Sequence, residues 1–364
     1  MFAKKSFFTL LCLFTLVGIG CSSSDTEITD VKPTSTSTSS QPCGDGVCDA
    51  AELADATLCP ADCTGTSTTD ETTTTTTTST DEFSFIADDG IRLENASNSG
   101  VKFNSDGAIS MLFQSRANES RGRNDVATAS ISSDWLDFTV TDTGVNPAEF
   151  RAIKLADGTC RAYGLDATKS GVLPGSTGLK SKSSKDCITF TDDPGVRYEL
   201  VESDNGSMGV YDFFLDSKGG VVMMYLGDLK GSNNVRRAYS EDGGWTFVFT
   251  DDNPLGDLNA GGGAKSFVDD KVLVLEDGRV LMVAMQSGKV YTLVSSDDGV
   301  SWTKQSDVLL PAEFSGENLT GLYDPQIIEL TDGRFRIYVT GGVGAPAASD
   351  ADSIQNLYSA TTAE

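Results

Sequence analysis

The sequence predicts an all-β fold, a five-bladed β-propeller, between residues 82 and 364. Apolar and polar residues alternate there in short runs, which is the period of a strand, and no stretch sustains a helical period. Glycine-containing turns separate these runs, and the pattern recurs about every 55 residues, the length of one four-stranded blade. One such unit cannot bury its apolar faces alone, so the copies are expected to stack around an axis.

Five hairpins, each with a turn that contains glycine, set the number of blades. Four of them have Asp-Gly in the turn, at 106–107, 157–158, 277–278 and 332–333, and the copies at 106–107 and 216–220 match the repeat more weakly. Glycine is favoured in such turns because it adopts positive φ without steric cost. Five hairpins therefore predict five blades.

A second repeated element follows these hairpins. Residues 240–247 and 295–302 both fit Ser-x-Asp-x-Gly-x-Thr/Ser followed by Phe or Trp, and degenerate copies lie at 132–138 and 184–190. These segments resemble the Asp-box, or BNR repeat, and through them the domain resembles the sialidase-like β-propellers. The resemblance implies turns whose Asp and Ser side chains bond their own backbone, on the face away from a ligand.

The strand that closes the ring is predicted to come from the other end of the domain. Residues 85–94 match residues 190–199 without a gap, and residues 190–199 close the second blade. Residues 83–94 are therefore expected to lie beside the C-terminal strand and to finish the last blade, which protects its edges. We expect a complete five-bladed ring on this basis; the alternative is an incomplete six-bladed one.

Residues 1–20 have the features of a secretion signal, with Lys4 and Lys5 ahead of the apolar stretch 7–17. Small residues precede Cys21, and this segment resembles a bacterial lipobox, although Gly18 stands where leucine is usual. The resemblance implies cleavage before Cys21, a lipid on its sulfur, and an exported lipoprotein of the outer membrane or cell surface that is held by the lipid alone. The alternative is ordinary cleavage and a secreted protein.

Six further cysteines are expected to form disulfides, because exported proteins fold in an oxidising compartment. Cys160 and Cys187 lie within the large domain and are expected to pair with each other. The other four, with no pairing assigned, staple a small module at 43–63: Cys43, Cys48, Cys59 and Cys63. Ser- and Thr-rich linkers at 21–42 and 64–81 flank this module and are expected to act as spacers.

The small module resembles a cysteine-rich repeat of bacterial surface proteins, of the form CGDGxCDxxE…CPxDC. Its acidic residues at close spacing are Asp45, Asp49, Glu52 and Asp62. Ca²⁺ binds several carboxylate and carbonyl oxygens, so these residues are candidate calcium ligands. The alternative is a disulfide-stapled module with a solvated acidic surface. No other cofactor is expected.

Charge and composition exclude several classes of function. The formal net charge is −26, which argues against nucleic acid and anionic lipid surfaces as partners. The chain has no histidine, so histidine-dependent triads and histidine zinc sites are excluded. The propeller is expected to be a monomer.

Candidate catalytic residues follow from the position of the pocket, because each inner strand of a propeller runs from the axial pocket into its hairpin turn. Nine residues before the turn glycines lie Glu149, Asp269 and Asp324, and Asp212 takes this place in the third blade with one residue of slippage. The first blade has Asn98. Glycoside hydrolysis requires one carboxyl as proton donor and another as base or nucleophile, and mutual repulsion raises the pKa of at least one of them.

This arrangement of acids is similar to that of five-bladed arabinanases and fructosidases. The resemblance implies that Asp324, Asp212 and either Glu149 or Asp269 act as base, pKa-tuning residue and acid, without assigning each role. Two alternatives use the same residues. In the first alternative, these acids stand at strand ends because of turn chemistry alone. In the second, they hold a structural cation in the axial channel.

Three residues near the predicted pocket rim are candidates for substrate binding. Tyr211 and Tyr323 offer a nucleophile or a platform for a sugar, and Arg151 offers a clamp for a carboxylate. True sialidases use three arginines for that purpose, and the sequence does not place the other two. Three functions stay open: a propeller that binds and hydrolyses a glycan or glycoprotein, a non-catalytic binding or adhesion propeller, and an exo-sialidase.

Overall fold

A computed structural model describes residues 83–115, 124–143, 150–165, 178–259, 266–314, 318–343 and 354–363, without the side chains of residues 98 and 99. The predictions for residues 1–81, which cover the signal, Cys21, the cysteine module with its calcium ligands and both linkers, lie outside these ranges, and so does Glu149. The regular structure described is strand, apart from a few short 3₁₀ turns. None of the described helical segments is long and apolar enough to cross a membrane.

The strands form five antiparallel sheets, laid out in chain order from the axis outward except in the last blade, whose outer strand comes from the start of the described chain. Blade I consists of β2 (Ala96–Phe103), β3 (Ile109–Ser115), β4 (Asn124–Ala129) and β5 (Thr139–Thr143). Blade II consists of β6 (Ala152–Lys154), β7 (Cys160–Leu165), β8 (Gly178–Ser184) and two short outer strands, β9 (Thr191–Asp192) and β10 (Tyr198–Glu199), which both pair with β8.

The remaining blades have four strands each. Blade III consists of β11 (Met208–Leu215), β12 (Val221–Gly227), β13 (Asn234–Ser240) and β14 (Val248–Asp251). Blade IV consists of β15 (Val268–Val274), β16 (Val280–Gln286), β17 (Lys289–Ser295) and β18 (Thr303–Leu309). Blade V consists of β19 (Leu319–Glu329), β20 (Phe335–Val343), β21 (Ile354–Thr362) and, as its outer strand, β1 (Phe85–Ala87).

The predicted closure of the ring is confirmed. Strand β1 pairs antiparallel with β21, with Phe85 opposite Thr362 and Ala87 opposite Ala360. Leu93 forms a further bridge with Leu357, so the matched segment follows the C-terminal strand beyond β1. The described residues therefore form a five-bladed ring, not part of a six-bladed one.

The ungapped sequence match between residues 85–94 and 190–199 is also a match of contacts. Asp88 accepts hydrogen bonds from Ser359 Oγ at 2.6 Å and Thr361 Oγ1 at 2.9 Å. Its counterpart Asp193 accepts from Ser181 Oγ at 2.6 Å and Ser183 Oγ at 2.8 Å. Each carboxylate also faces a buried arginine on the second strand of its own blade, Arg336 for Asp88 at 3.4 Å and Arg161 for Asp193 at 3.8 Å.

The turns explain why the repeat survives in sequence. All five hairpin turns place a glycine at positive φ, between 81° and 86°: Gly107, Gly158, Gly219, Gly278 and Gly333. In the turn at 240–247, Asp242 Oδ1 accepts the backbone N–H groups of Trp245 and Thr246 at 2.9 and 2.8 Å and the Ser240 hydroxyl at 2.6 Å. The turns at Asp186 and Asp297 repeat this pattern.

The first of the four degenerate or complete turns departs from that pattern. Asp134 has positive φ, and its carboxylate accepts a hydrogen bond from the Arg336 guanidinium of blade V at 2.9 Å. In the other three turns the aspartate accepts hydrogen bonds from its own turn, whereas Asp134 binds the neighbouring blade. This contact lies at the junction between the last blade and the first.

The core consists of apolar clusters, most of them between neighbouring blades. The largest joins blades IV and V around Val283, Ile337 and Tyr358, and another joins blades II and III around Tyr163 and Phe213. The predicted disulfide between Cys160 and Cys187 is present and ties β7 to the turn after β8.

Candidate functional site

The inner strands of all five blades line one axial cavity of about 200 Å³. The residue seven positions before each turn glycine lines it in every blade: Gly100, Arg151, Asp212, Lys271 and Gln326. We call these five residues the axial ring. The ring confirms that the blades present equivalent positions to the axis, but it lies two positions nearer the turn than the nine-residue count used on the sequence.

Backbone bulges precede the ring in four of the blades. The pairing register of the inner strand shifts between Asn98 and Gly100, Met208 and Tyr211, Val268 and Lys271, and Tyr323 and Gln326. Bulges redirect side chains and are common beside active sites. Inside two of these bulges, Asp269 and Asp324 have φ of 56° and 49°, in the left-handed region. Residues other than glycine in that region carry strain of about 1–3 kcal/mol, which is often found at functional sites.

The acids predicted from the sequence therefore fall into two layers. Asp269 and Asp324 occupy the equivalent bulge position in blades IV and V. Asp212 does not share that position, because it stands seven residues before its turn glycine, Gly219, and not nine. Asp212 instead belongs to the axial ring and lines the cavity, whereas Asp269 and Asp324 are not among the residues that line it.

Asp212 is fixed between two blades by backbone donors. Its Oδ1 accepts the N–H of Phe213 at 3.0 Å, and its Oδ2 accepts the N–H of Val272 in blade IV at 3.0 Å. Its neighbours in the axial ring are Arg151 of blade II and Lys271 of blade IV. These contacts hold the carboxylate of Asp212 in place between blades III and IV.

Asp269 and Asp324 are linked to each other and to blade I. The carboxylate of Asp269 accepts a hydrogen bond from the backbone N–H of Asp324, and burial raises the pKa of Asp269, opposed by the charge of Lys271. The carboxylate of Asp324 accepts a hydrogen bond from Ser97 Oγ at 3.2 Å. Asp269 is thus the acid that tends to hold a proton, and Asp324 is its neighbour in the next blade.

Lys271 is a site residue that the sequence reasoning missed. Its side chain is buried, 8% exposed, and its Nζ donates to the backbone carbonyl of Asp270 at 3.0 Å. Burial lowers the pKa of Lys271; Asp212 opposes this shift and Arg151 adds to it. The sequence does offer a signal, because Lys271 stands seven residues before Gly278, but the predicted chemistry required only carboxylates at this end of the strand.

Asp270 is also unanticipated. It is fully buried, and neither carboxylate oxygen has a hydrogen-bond partner among the described residues. Burial raises its pKa to about 7. An unpaired buried carboxylate is costly when charged, so Asp270 is expected to be protonated in weakly acidic solution.

The three predicted binding residues have different environments. Tyr211 is 4% exposed, its hydroxyl donates to the carbonyl of Tyr163 at 3.1 Å, and burial raises its pKa. The guanidinium of Arg151 stacks 4.4 Å above the centre of the Tyr211 ring. Tyr211 is therefore a core residue that orients Arg151, while Arg151 itself lines the cavity.

Tyr323 lies flat across glycines beside Asp324. A Cβ atom on Gly321 would come within 2.5 Å of the Tyr323 hydroxyl, and one on Gly342 within 3.1 Å of its ring. Tyr323 is half-buried and is not among the residues that line the cavity. A half-buried aromatic side chain beside a carboxylate is suited to packing against the face of a sugar.

Neither a clamp of three arginines nor a metal site has support in the parts of the chain that the structure covers. Among the described arginines only Arg151 lines the cavity; Arg161 and Arg336 are bonded between blades, and Arg236 pairs with the buried Asp204. Within the same ranges no group of three or more acidic or cysteine side chains has the geometry of a metal site.

In comparisons with known proteins, no family model matches the chain. Over 157 residues it is 29% identical to invertase from Kluyveromyces lactis, a match that covers 38% of this chain and 24% of invertase. The chain thus spans about a quarter of the length of this curated relative.

Solved structures share the fold. An α-L-arabinofuranosidase from Podospora anserina aligns with a TM-score of 0.50 and 10% identity, over 78% of this chain and 97% of that one. A thermostable family-43 glycoside hydrolase aligns with a TM-score of 0.48 and 12% identity, over 75% of this chain and 91% of that one. At such identities only the fold is shared: this chain is a five-bladed β-propeller whose structural neighbours include glycoside hydrolases.

Proposed function

We propose that this protein binds saccharides at the mouth of its axial cavity and hydrolyses a glycosidic bond there. The observation that carries the proposal is the pair formed by Asp269 and Asp324. These acids occupy equivalent bulges of adjacent blades, directly before the ring that lines the cavity. The backbone N–H of Asp324 donates a hydrogen bond to the carboxylate of Asp269.

The two acids have environments suited to different roles. Burial raises the pKa of Asp269, so this residue keeps a proton to donate to the leaving group. Asp324 accepts a hydroxyl hydrogen bond from Ser97, which supports a carboxylate acting as base or nucleophile. Asp212, in the axial ring, is the third acid of the proposed site. Glu149, outside the described residues, remains a second candidate for the donor.

Substrate contacts follow from the residues around this pair. Tyr323 is the platform for the sugar ring, and the N–H groups of Arg151, Lys271 and Gln326 are donors for its oxygens. The similarity of one segment to an invertase and of the fold to an α-L-arabinofuranosidase supports a glycan as substrate. We take fructosides and arabinosides as the first classes to test.

The test measures sugar release by the full chain from sucrose, fructo-oligosaccharides and arabino-oligosaccharides. Asp269→Asn and Asp324→Asn should each lower kcat by at least about 100-fold, since each removes a group that moves a proton or attacks. Asp277→Asn is the matched control, because Asp277 is exposed in the hairpin turn of the same blade as Asp269 and should leave the rate unchanged. Release that persists in both pocket variants would contradict the proposal.

A second candidate, a non-catalytic glycan-binding propeller, is favoured by one observation. Asp212, Asp269 and Asp324 all take part in hydrogen bonds between neighbouring blades, which is also the behaviour of structural acids. Binding of a glycan without release of sugar, unchanged in Asp324→Asn, would favour this candidate. An exo-sialidase is the weakest alternative, since Arg151 alone of the described arginines lines the cavity.

We also propose that the protein is exported and held at the outer membrane or cell surface by a lipid on Cys21. The support is the signal-like segment 1–20 with its small residues before Cys21. Labelling cells with a radioactive fatty acid should mark the wild-type protein and not Cys21→Ser. Equal labelling of the two proteins, or none of either, would contradict the anchor.

A further inference from the structure

Charge is distributed unevenly around the axial ring. Arg151 and Lys271 stand on either side of Asp212, Gln326 is neutral, and Gly100 has no side chain. The ring therefore carries one more positive than negative charge, within a chain whose formal net charge is −26. Burying or half-burying two neighbouring cations in so acidic a protein is costly unless an anion compensates them.

Asp212 and the neighbouring acids Asp269 and Asp270 supply part of that compensation, and burial raises the pKa of Asp269 and Asp270, which weakens their share. Both oxygens of Asp212 accept backbone N–H groups. Among the described residues, no carboxylate lies within the 4.0 Å of a salt bridge from the Arg151 guanidinium or the Lys271 ammonium. The two cations also repel each other, since Arg151 contributes to the lowered pKa of Lys271. An anion placed between them would remove this repulsion.

Both cations line the cavity and carry donors that a ligand can use. The guanidinium of Arg151 lies 4.4 Å from the centre of the Tyr211 ring, and the paired N–H groups of a guanidinium match the two oxygens of a carboxylate. Lys271 has three N–H donors, and the structure records one of them in use, on the carbonyl of Asp270. The position of Gly100 leaves the opposite side of the ring without a side chain.

We propose that the axial ring binds the carboxylate of an acidic sugar, with Arg151 and Lys271 as the residues that select it. The inference rests on the proposed function, because it assumes that saccharides enter the axial cavity. The cavity of about 200 Å³ holds several waters of about 30 Å³ each, and so has room for one sugar ring.

The neighbouring acids set the pH dependence of this binding. The charged or titratable groups that face the two cations are Asp212 on β11, Asp269 and Asp270 on β15, and Asp324 on β19. Burial raises the pKa of Asp270 to about 7 and also raises that of Asp269, so lowering the pH from about 8 to about 5 removes negative charge beside the ring. This loss of negative charge strengthens the binding of an anion as the pH falls.

The experiment compares matched acidic and neutral sugars on the full chain by titration calorimetry. One pair is trigalacturonate and galactotriose, and the other is sialyllactose and lactose, so the two arms separate a uronate from a sialate as the source of the carboxylate. The acidic member of one pair should bind at least about tenfold more tightly, which corresponds to about 1.4 kcal/mol. This preference should shrink at high salt and at pH 8.

Variants assign the preference to the ring. Lys271→Met should abolish it, and Lys271→Arg should retain it. The matched control is Lys289→Met, because Lys289 is an exposed lysine at the start of β17 in the same blade. Circular dichroism checks that the variants fold, and the wild-type preference and its salt dependence decide the question even where a variant does not.

The outcomes separate this inference from the proposed function. Neutral sugars that bind as tightly as acidic ones, or more tightly, would overturn the acidic-sugar inference and leave glycan binding intact. A preference that survives in Lys271→Met would overturn the role of Lys271. If no saccharide of any kind binds, the proposed function fails and the inference fails with it.

Discussion

Replacing Asp88 by asparagine tests how the ring is closed. The Asp88 carboxylate accepts hydrogen bonds from Ser359 and Thr361 on β21 and lies 3.4 Å from the guanidinium of Arg336. The side chain of Arg336 is only 2% exposed. Because the substitution keeps the shape of the side chain and removes only its charge, the effect reports the ion pair and its charge-assisted hydrogen bonds.

The magnitude follows from what Arg336 retains. Removing one partner of a buried ion pair costs about 3–5 kcal/mol. Arg336 keeps a hydrogen bond to Asp134 Oδ2 at 2.9 Å and one to Thr361 Oγ1 at 2.8 Å, and the asparagine oxygen still accepts. We therefore expect a loss of about 2–3 kcal/mol in the free energy of unfolding, or about 3–5 °C in Tm for a domain of this size.

The assay combines thermal unfolding with hydrogen exchange, and the chain supplies its own control. Asp193 has the matching contacts within blade II, on β8, where no chain end has to be held. Asp193→Asn should lower Tm to a similar degree without changing exchange in β1 and β21. Asp88→Asn should increase exchange in those two strands before the rest of the ring opens. A Tm within about 1 °C of wild type, or exchange in β21 equal to that of wild type, would refute this account of closure.

Three further predictions concern stability. Removing the disulfide in a Cys160→Ala, Cys187→Ala double variant should cost about 3.5 kcal/mol, because the bond closes a loop with a sequence separation of 27, and a loss below about 1 kcal/mol in urea unfolding would count against it. Asp242→Ala leaves two backbone N–H groups and one hydroxyl without their acceptor and should cost about 2 kcal/mol by the same measurement, whereas an unchanged midpoint would show that the turn is not self-bonded. Burial raises the pKa of Asp270 to about 7, so the stability of the wild-type protein should fall as the pH rises from about 4 to about 7. The stability of Asp270→Asn relative to wild type should increase by up to about 4 kcal/mol over the same range. Parallel pH profiles of stability for the two proteins would contradict this.

Much of the fold was predictable because the repeat is carried by local chemistry. The turn glycines have a conformation that other residues avoid, so they persist at matching positions such as Gly278 and Gly333. The closing segment kept Asp88 in register with Asp193 because both carboxylates bind a pair of hydroxyls on the neighbouring strand. These constraints act over a few residues and are visible in a single sequence.

The site was predictable only in part, since it depends on bulges. A bulge adds a residue to one strand of a pair, and its place is fixed by the partner strand and not by local composition. Asp269 and Asp324 lie inside bulges nine residues before their turn glycines, whereas Asp212 follows the bulge of blade III, seven residues before Gly219. The prediction allowed slippage in blade III and so placed Asp212 beside Asp324, although it belongs with Lys271 and Gln326 in the axial ring. Lys271 was not predicted, because glycoside hydrolysis requires carboxyl groups and does not by itself require a lysine beside them.

The most direct test of the axial site is a crystal structure of Asp269→Asn soaked with an oligosaccharide that the wild-type protein cleaves or binds. The account predicts one sugar ring in the axial cavity, packed against Tyr323, with its reacting bond beside Asp324 and its oxygens bonded to the axial ring. A sugar bound elsewhere on the propeller, with the cavity holding only water, would contradict it.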